Sequence, residues 1–465
     1  MITLLIALFV IGYLAIALEH PLRIDKSASA LILGMVLWVI YTVAGDLIVP
    51  IAEGGHLQRF LADNPSLANE PLYKQCLEYI LNVKIIESLG DISQTLLFLI
   101  GAMTIVELID VHGGFSVITD RITTRNKRKL LWIICCVTFI FSAILDNMTT
   151  TIVMIMLLRK LIADKEERWL FAGMIVIAAN TGGAWSPIGD VTTIMLWVRG
   201  NVTAEALIMY VLLPSIVAML VPLAIISRSV KGQLAPMDNV SSAPAIVTDR
   251  ERYSIFILGV GGLIFVPIFK SITHLPPFIG ILLVLGLLWA YIELMYNRKT
   301  IESSQEYRLA RVISRIDMPS ILFFLGILMA VAVLQAAGIL SMAAQYLDEQ
   351  VHNIYIIDTL LGALSSIVDN VPLVAGVMGM YPVEDAGATG YAANFVVNGA
   401  FWEYLSYCAG VGGSLLIIGS AAGVIAMGLE KINFGWYLKK FTLLALVGYL
   451  AGAAVYVAER MLIHG

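Results

Sequence analysis

The chain has 465 residues, of which 59% are apolar and only 14% charged. Soluble domains are about a quarter charged, so a water-soluble enzyme and a disordered protein are both poor fits. The formal net charge of −5 leaves no basic surface for nucleic acid, and four cysteines make no disulfide framework.

A bilayer-crossing helix needs about 20 mostly apolar residues. In chain order, uninterrupted stretches of that kind fall at roughly 2–18, 28–50, 91–110, 205–227, 253–272, 276–297, 317–337 and 434–459. Longer, interrupted stretches occupy 131–158, 169–198, 354–381 and 391–428. The first stretch shows no small-residue cleavage site before a soluble domain, so it reads as a span and not as a removed signal. Between 51 and 90, Leu72, Cys76, Ile80 and Val83 recur at helical spacing, which predicts a helix lying on the membrane surface. Cys135 and Cys136 sit in an apolar run, where packing is the natural role. The six histidines (His20, His56, His112, His274, His352 and His464) fall in loops or at segment ends without zinc-ligand spacing.

Placing the N-terminus outside puts most of the Lys and Arg into the inner loops 19–27, 111–130, 159–168, 228–252, 298–316 and 429–433. The outer side then holds only Arg59, Lys74, Lys84, Arg199, Lys270 and Arg460, a strong positive-inside bias. This arrangement requires two segments not to cross. Segment 131–158 has basic residues at both ends and a polar centre, Asp146-Asn147-Met148-Thr149-Thr150-Thr151. It reads as a re-entrant hairpin from the inner face. Segment 354–381, with acidic flanks and Asp369-Asn370-Val371-Pro372 at its centre, reads as its outer counterpart.

The chain also repeats itself. Gly101 aligns with Gly326, Ser142…Asp146-Asn147 with Ser365…Asp369-Asn370, and Gly182-Gly183…Gly189 with Gly412-Gly413…Gly419, all at an offset of about 225 residues. The predicted fold is therefore an all-α polytopic membrane protein of two inverted-topology repeats. It has about ten spanning helices, two re-entrant hairpins, and unwound helices at the midplane. The first repeat covers 1–227, an inner linker 228–252, and the second repeat 253–465. Inverted repeats with paired broken segments are typical of secondary transporters, whose site lies between the halves.

Helix breaks at membrane depth are tolerated only where protein or water lines them. Four are visible: 146–151, 180–190, 369–372 and 410–420. None contains Lys, Arg or His, whereas Asp146, Asp190 and Asp369 each lie in one. Asn, Thr and freed carbonyls add the oxygen ligands that hard cations prefer, so Thr149 and Thr181 join the candidates. Glu107 and Glu403 supply further carboxylates within apolar stretches. An ionised side chain at this depth costs at least about 2.5–3.5 kcal/mol. A site that offsets its charge with a proton or with a sodium ion, but never both, performs exchange. Asp146 and Asp369 are the predicted Na+ ligands, and no cofactor is called for.

The paired Asp-Asn centres and the stretch Asn180-Thr-Gly-Gly-Ala-Trp-Ser-Pro-Ile-Gly-Asp190-Val-Thr-Thr193 resemble the NhaD-type sodium/proton antiporters of the ion transporter superfamily. The likeness extends over essentially the whole chain. It implies a homodimer in the bacterial inner membrane, with scaffold and transport parts, exporting Na+ or Li+ against protons. Carried over by position, the polar set is Asp146, Asn147, Asn180, Asp190, Thr192, Thr193, Ser365, Asp369 and Asn370. The second Gly-Gly region departs from the first, with Ile417 where Pro187 stands and Ser420 where Asp190 stands; Ser414 and Ser420 are weaker matches.

Two other functions compete. A sodium-coupled anion symporter would keep this fold. An intramembrane aspartyl protease would need a shared-proton dyad, and no Gly-x-Gly-Asp placement is present. The His-Glu-x-x-His of a metalloprotease is absent as well.

Overall fold

A computed structural model describes residues 1–17, 22–115, 124–234, 248–296, 312–367 and 369–464. His20, Val368, the middle of the 228–252 linker and parts of the other basic loops lie outside the described residues. The first part of the chain forms α1 (Ile2–Ala17), α2 (Lys26–Val43), α3 (Gly45–Ala52), α4 (Gly54–Asp63), α5 (Leu72–Tyr79) and α6 (Ile85–Val111). There follow α7 (Lys127–Leu145), α8 (Asn147–Leu161), α9 (Lys165–Ala184), α10 (Val191–Val198), α11 (Ala204–Ser227), α12 (Asp249–Thr273) and α13 (Pro277–Tyr296). The remainder forms α14 (Met318–Ala336), α15 (Ile339–Val351), α16 (Ile354–Ser365), α17 (Asn370–Met380), α18 (Ala400–Gly412), α19 (Ala421–Glu430), α20 (Phe434–Lys440) and α21 (Thr442–His464). No β-strand occurs among the described residues.

Among the described residues, eight helical stretches are long and apolar enough to cross a membrane. Large apolar side chains such as Ile257, Ile272 and Leu287 are exposed on them, as lipid contact requires. The protein is an all-α polytopic membrane protein. The expected crossing at 2–18 is the 16-residue α1. The expected crossings at 169–198 and 391–428 are each made of broken helices, α9 with α10 and α18 with α19. The stretch at 434–459 divides at Phe441 into α20 and α21.

The expected surface helix near residue 72 is not a separate element. Its helical spacing carries on without a Gly or Pro, through a π-turn at Ile80–Lys84, into α6. Cys76 and Ile80 are buried, whereas Leu72 is exposed.

The chain divides into two compact units, each drawing on both halves of the sequence. The first comprises Met1–Leu97, Asp317–Asn353 and Val371–Val383. In it α2 and α14 cross in contact: a Cβ on Gly34 would lie 2.4 Å from the Gly326 carbonyl oxygen. Only glycine permits that approach. Trp38 Nε1 donates to the Met329 carbonyl at 3.0 Å across the same crossing. Glu53 pairs with Lys84 at 2.7 Å and accepts from the Tyr79 hydroxyl.

The second unit comprises Phe98–Ile316, Ile354–Asn370 and Glu384–Gly465. Here α7 packs on α9, α16 on α18, and α11 on α21. Tyrosines fill the core around α18 and α21: Tyr404 stacks on Tyr456 with centroids 4.8 Å apart, and Tyr407 on Tyr449 at 6.0 Å. At the ends of α8 and α19, buried Glu430 accepts from Arg159 Nε at 2.7 Å and from Arg168 Nε at 2.9 Å.

Candidate cation site

The site grows out of the helix breaks. α7 stops at Leu145 because Asp146 turns the chain at φ +83°, ψ 159°. A left-handed φ of this kind is uncommon for a residue other than glycine. Asp146 then caps α8: Oδ1 accepts from the Thr149 amide at 2.7 Å and Oδ2 from Thr149 Oγ1 at 2.9 Å. Its neighbour Asn147 is buried and points the other way. Asn147 Nδ2 donates to Asp190 Oδ2 at 2.7 Å and to Asn180 Oδ1 at 3.1 Å.

Asn180 comes from the last turns of α9, which end in the Gly182-Gly183 pair. Its own amide nitrogen donates to Ser420 Oγ at 2.8 Å and Ser414 Oγ at 3.0 Å. Ser420 in turn caps α19, accepting from the Gly423 amide at 3.2 Å. Asn180 therefore ties the first broken helix to the second.

Asp190 lies at the centre. It opens α10 with a capping box: Oδ1 accepts from the Thr192 amide at 3.0 Å, and Thr193 Oγ1 answers from the Asp190 backbone. Its Oδ2 takes the Asn147 amide and, at 3.2 Å, the Asn370 amide from the start of α17. Asp146 and Asp369 each lie close enough to Asp190 for the charges to repel. None of these hydrogen bonds comes from Lys, Arg or His.

The same fastenings hold both pairs of helices. Ser142 Oγ donates to the Ala179 carbonyl at 2.5 Å, joining α7 to α9. Ser365 Oγ donates to the Ala409 carbonyl at 2.9 Å, joining α16 to α18. A Cβ on Gly182 would meet the Phe139 carbonyl oxygen at 2.3 Å, and one on Gly412 the Gly362 carbonyl oxygen at 2.1 Å.

Of the residues singled out from sequence, the structure brings together Asn147, Asn180, Asp190, Asn370, Ser414 and Ser420, with Asp146 and Asp369 beside them. Ser365 serves helix packing. Thr181 back-bonds to the Ile177 carbonyl within α9 at 2.7 Å. Glu107 is part-exposed, with Arg315 at 4.0 Å. Glu403 is fully buried but closed on Arg460 and on Tyr456, whose hydroxyl donates to it at 3.1 Å. Sequence reasoning missed Asp358, a fully buried acid on α16. The one signal for it was its place seven residues before Ser365 in an apolar helix.

The sequence profile of a family described as "Citrate transporter" matches residues 6–398. Sodium/proton antiporter 2 of Arabidopsis thaliana is 41% identical over 454 residues, covering 97% of this chain and 98% of that protein. Sodium/proton antiporter 1 of the same plant is also 41% identical, over 460 residues, 98% of this chain and 72% of that protein. The Na(+)/H(+) antiporter NhaD of Vibrio cholerae is 29% identical over 478 residues, 97% of this chain and 90% of that protein. The chain belongs to the NhaD-type antiporters of the ion transporter superfamily. As an NhaD-type protein it is a multi-pass membrane transporter and not an enzyme.

Proposed function

We propose that this chain exchanges Na+ or Li+ for protons, with Asp190 as the hub of the exchange site. The carrying observation is that the Asn147 and Asn370 amides, one from each hairpin, converge on the buried Asp190 carboxylate. Asp146 and Asp369 flank it with further negative charge. Their charges repel that of buried Asp190, so a small cation or a proton at this carboxylate relieves the same cost. Occupancy by one excludes the other, and that competition is the coupling. The named relatives, sodium/proton antiporters of plants and bacteria, favour the same cargo.

The two hairpins and two broken helices act as inverted repeats in an alternating-access cycle. In support, the Ser142–Ala179 and Ser365–Ala409 fastenings recur at the offset of the sequence repeat. α16 and α17 have 12 and 11 residues. At 1.5 Å per residue each is shorter than the ~30 Å hydrocarbon layer, which suits a re-entrant hairpin. The chain works as a homodimer in the bacterial inner membrane, N-terminus outside, as the family resemblance and the Lys and Arg distribution suggest.

The family description favours a second reading, sodium-coupled transport of an anion such as citrate. An anion site would call for basic side chains or open helix N-termini. Among the described residues Asp146 and Asp190 take their hydrogen bonds from Thr, Asn and backbone groups, and the α8, α10 and α19 N-termini are capped by Asp146, Asp190 and Ser420. Proteoliposomes loaded with acid decide between the two. Added Na+ should dissipate the pH gradient with no organic anion present; sodium movement that needs citrate would overturn the exchange reading.

A further inference from the structure

One acid of the second unit lies outside the Asp190 cluster. α16 buries Ile354, Ile357, Asp358, Gly362 and Ser365, a single helical face. Asp358 is fully buried, and neither of its carboxyl oxygens has a hydrogen-bond partner. The groups facing it are Tyr404 and Cys408 of α18, close enough to feel its charge. Tyr449 of α21 approaches the same face at Gly362.

The hydroxyl protons of Thr359, Tyr404, Tyr407 and Tyr449 are committed elsewhere. Thr359 Oγ1 donates to the Tyr355 carbonyl at 2.6 Å, so the Tyr404 hydroxyl must donate to Thr359, at 2.8 Å. The Tyr449 hydroxyl donates to the Thr359 carbonyl at 2.9 Å, and the Tyr407 hydroxyl to the Tyr449 carbonyl at 2.7 Å. Arg460, at the far end of this tyrosine stack, is paired with Glu403 and lies over Tyr210 and Tyr456.

An ionised carboxylate cannot persist in such a place without a partner, so the group holds a proton. A packing role alone would be better filled by an apolar side chain, because a buried polar group without a partner costs about 1–3 kcal/mol. Among the described residues no group of three or more His, Cys, Asp or Glu gathers here to hold a metal cation. Ser365, two helical turns further along the same face, fastens α16 to α18, and Asp369 and Asn370 follow at the break. The acid thus sits on the arm that delivers the Asn370 amide to Asp190.

We propose that Asp358 is a second proton-binding site, specific for H+ over metal cations, that exchanges its proton as α16 moves. This rests on the proton-coupled reading above. Purified protein in proteoliposomes tests it with Asp358→Asn, which keeps shape and neutrality, and with Asp358→Glu. Two fluxes are read: sodium-driven proton movement across a pH series, and radioactive sodium self-exchange without a pH gradient. Infrared difference spectra on raising the pH report the protonated-carboxyl band.

Asp358→Asn should lower proton-coupled flux by about tenfold or more and flatten its pH profile. Sodium self-exchange should stay near wild type, Asp358→Glu should recover part of the coupling, and one carboxyl band should vanish in Asp358→Asn alone. Wild-type coupling and pH profile in Asp358→Asn would overturn the proposal, as would equal loss of both fluxes. If the wild type moved no protons with sodium, the exchange reading would fall instead. The carboxyl band would then still decide whether Asp358 binds and releases a proton.

Discussion

Asn370 places its side-chain amide 3.2 Å from Oδ2 of Asp190, a residue 180 positions earlier in the chain. Asn147, at the start of α8, holds the same oxygen at 2.7 Å. One carboxylate is thereby shared between the first residues of α8 and α17.

Replacing any of the three clustered acids by its amide removes a charge while keeping its shape. Asp146→Asn, Asp190→Asn and Asp369→Asn should each reduce sodium-driven proton flux to background in vesicles. Each variant should still purify as a monodisperse species. Exchange at the wild-type rate in any one of them would remove that residue from the mechanism.

The two amides should act as a unit. Asn147→Ala and Asn370→Ala each leave Asp190 Oδ2 with one donor fewer. Residues sharing a partner couple by about 0.5–3 kcal/mol. The double variant should therefore depart from the sum of the single effects on apparent sodium affinity. Additive effects would mean that Asn147 and Asn370 act on Asp190 independently.

Two glycine crossings should be intolerant of a methyl group. Gly182→Ala would press a Cβ to 2.3 Å from the Phe139 carbonyl oxygen, and Gly412→Ala to 2.1 Å from that of Gly362. Because the obstacle is backbone, the helices must separate, and overpacking of this kind costs about 1–3 kcal/mol. Both variants should aggregate at lower temperature in detergent than the wild type. As a contrast, Gly428→Ala has nothing within 4 Å to meet and should leave the aggregation temperature unchanged.

Glu430 joins three segments through Arg159 and Arg168. Glu430→Gln removes the buried charge that both guanidinium groups use. Breaking a buried pair from one side costs on the order of 3–5 kcal/mol; the part-exposed Arg159 brings the expected loss toward the low end. Thermal stability in detergent should fall, and adding Arg159→Gln should recover part of it by removing one stranded cation. No recovery in the double variant would count against this account.

Much of this architecture was legible in the residues. Asp-Asn pairs inside apolar runs have few explanations other than a break, and Asp146 and Asp369 both stand at one. The Gly-Gly pairs mark the close crossings because backbone contact admits no side chain. Other features needed coordinates. Ser414 and Ser420 look unremarkable until Asn180 is seen to reach both. Asp358 occupies an unbroken apolar helix, where burial and the missing donor appear only after packing. The link from Glu403 to Arg460 spans 57 residues, so no local pattern announces it. The helical spacing near Leu72 was real, but periodicity alone does not reveal that the rod runs on into α6.

Three capped breaks border the site, and they are not alike. Asp190 and Ser420 cap their helices from extended backbone at φ −146° and −147°. Asp146 does so from φ +83°, a twist that costs an L-residue roughly 1–3 kcal/mol. Of the three turns, the one into α8 is therefore the one that holds backbone strain, and a glycine at position 146 would relieve that strain while removing the cap.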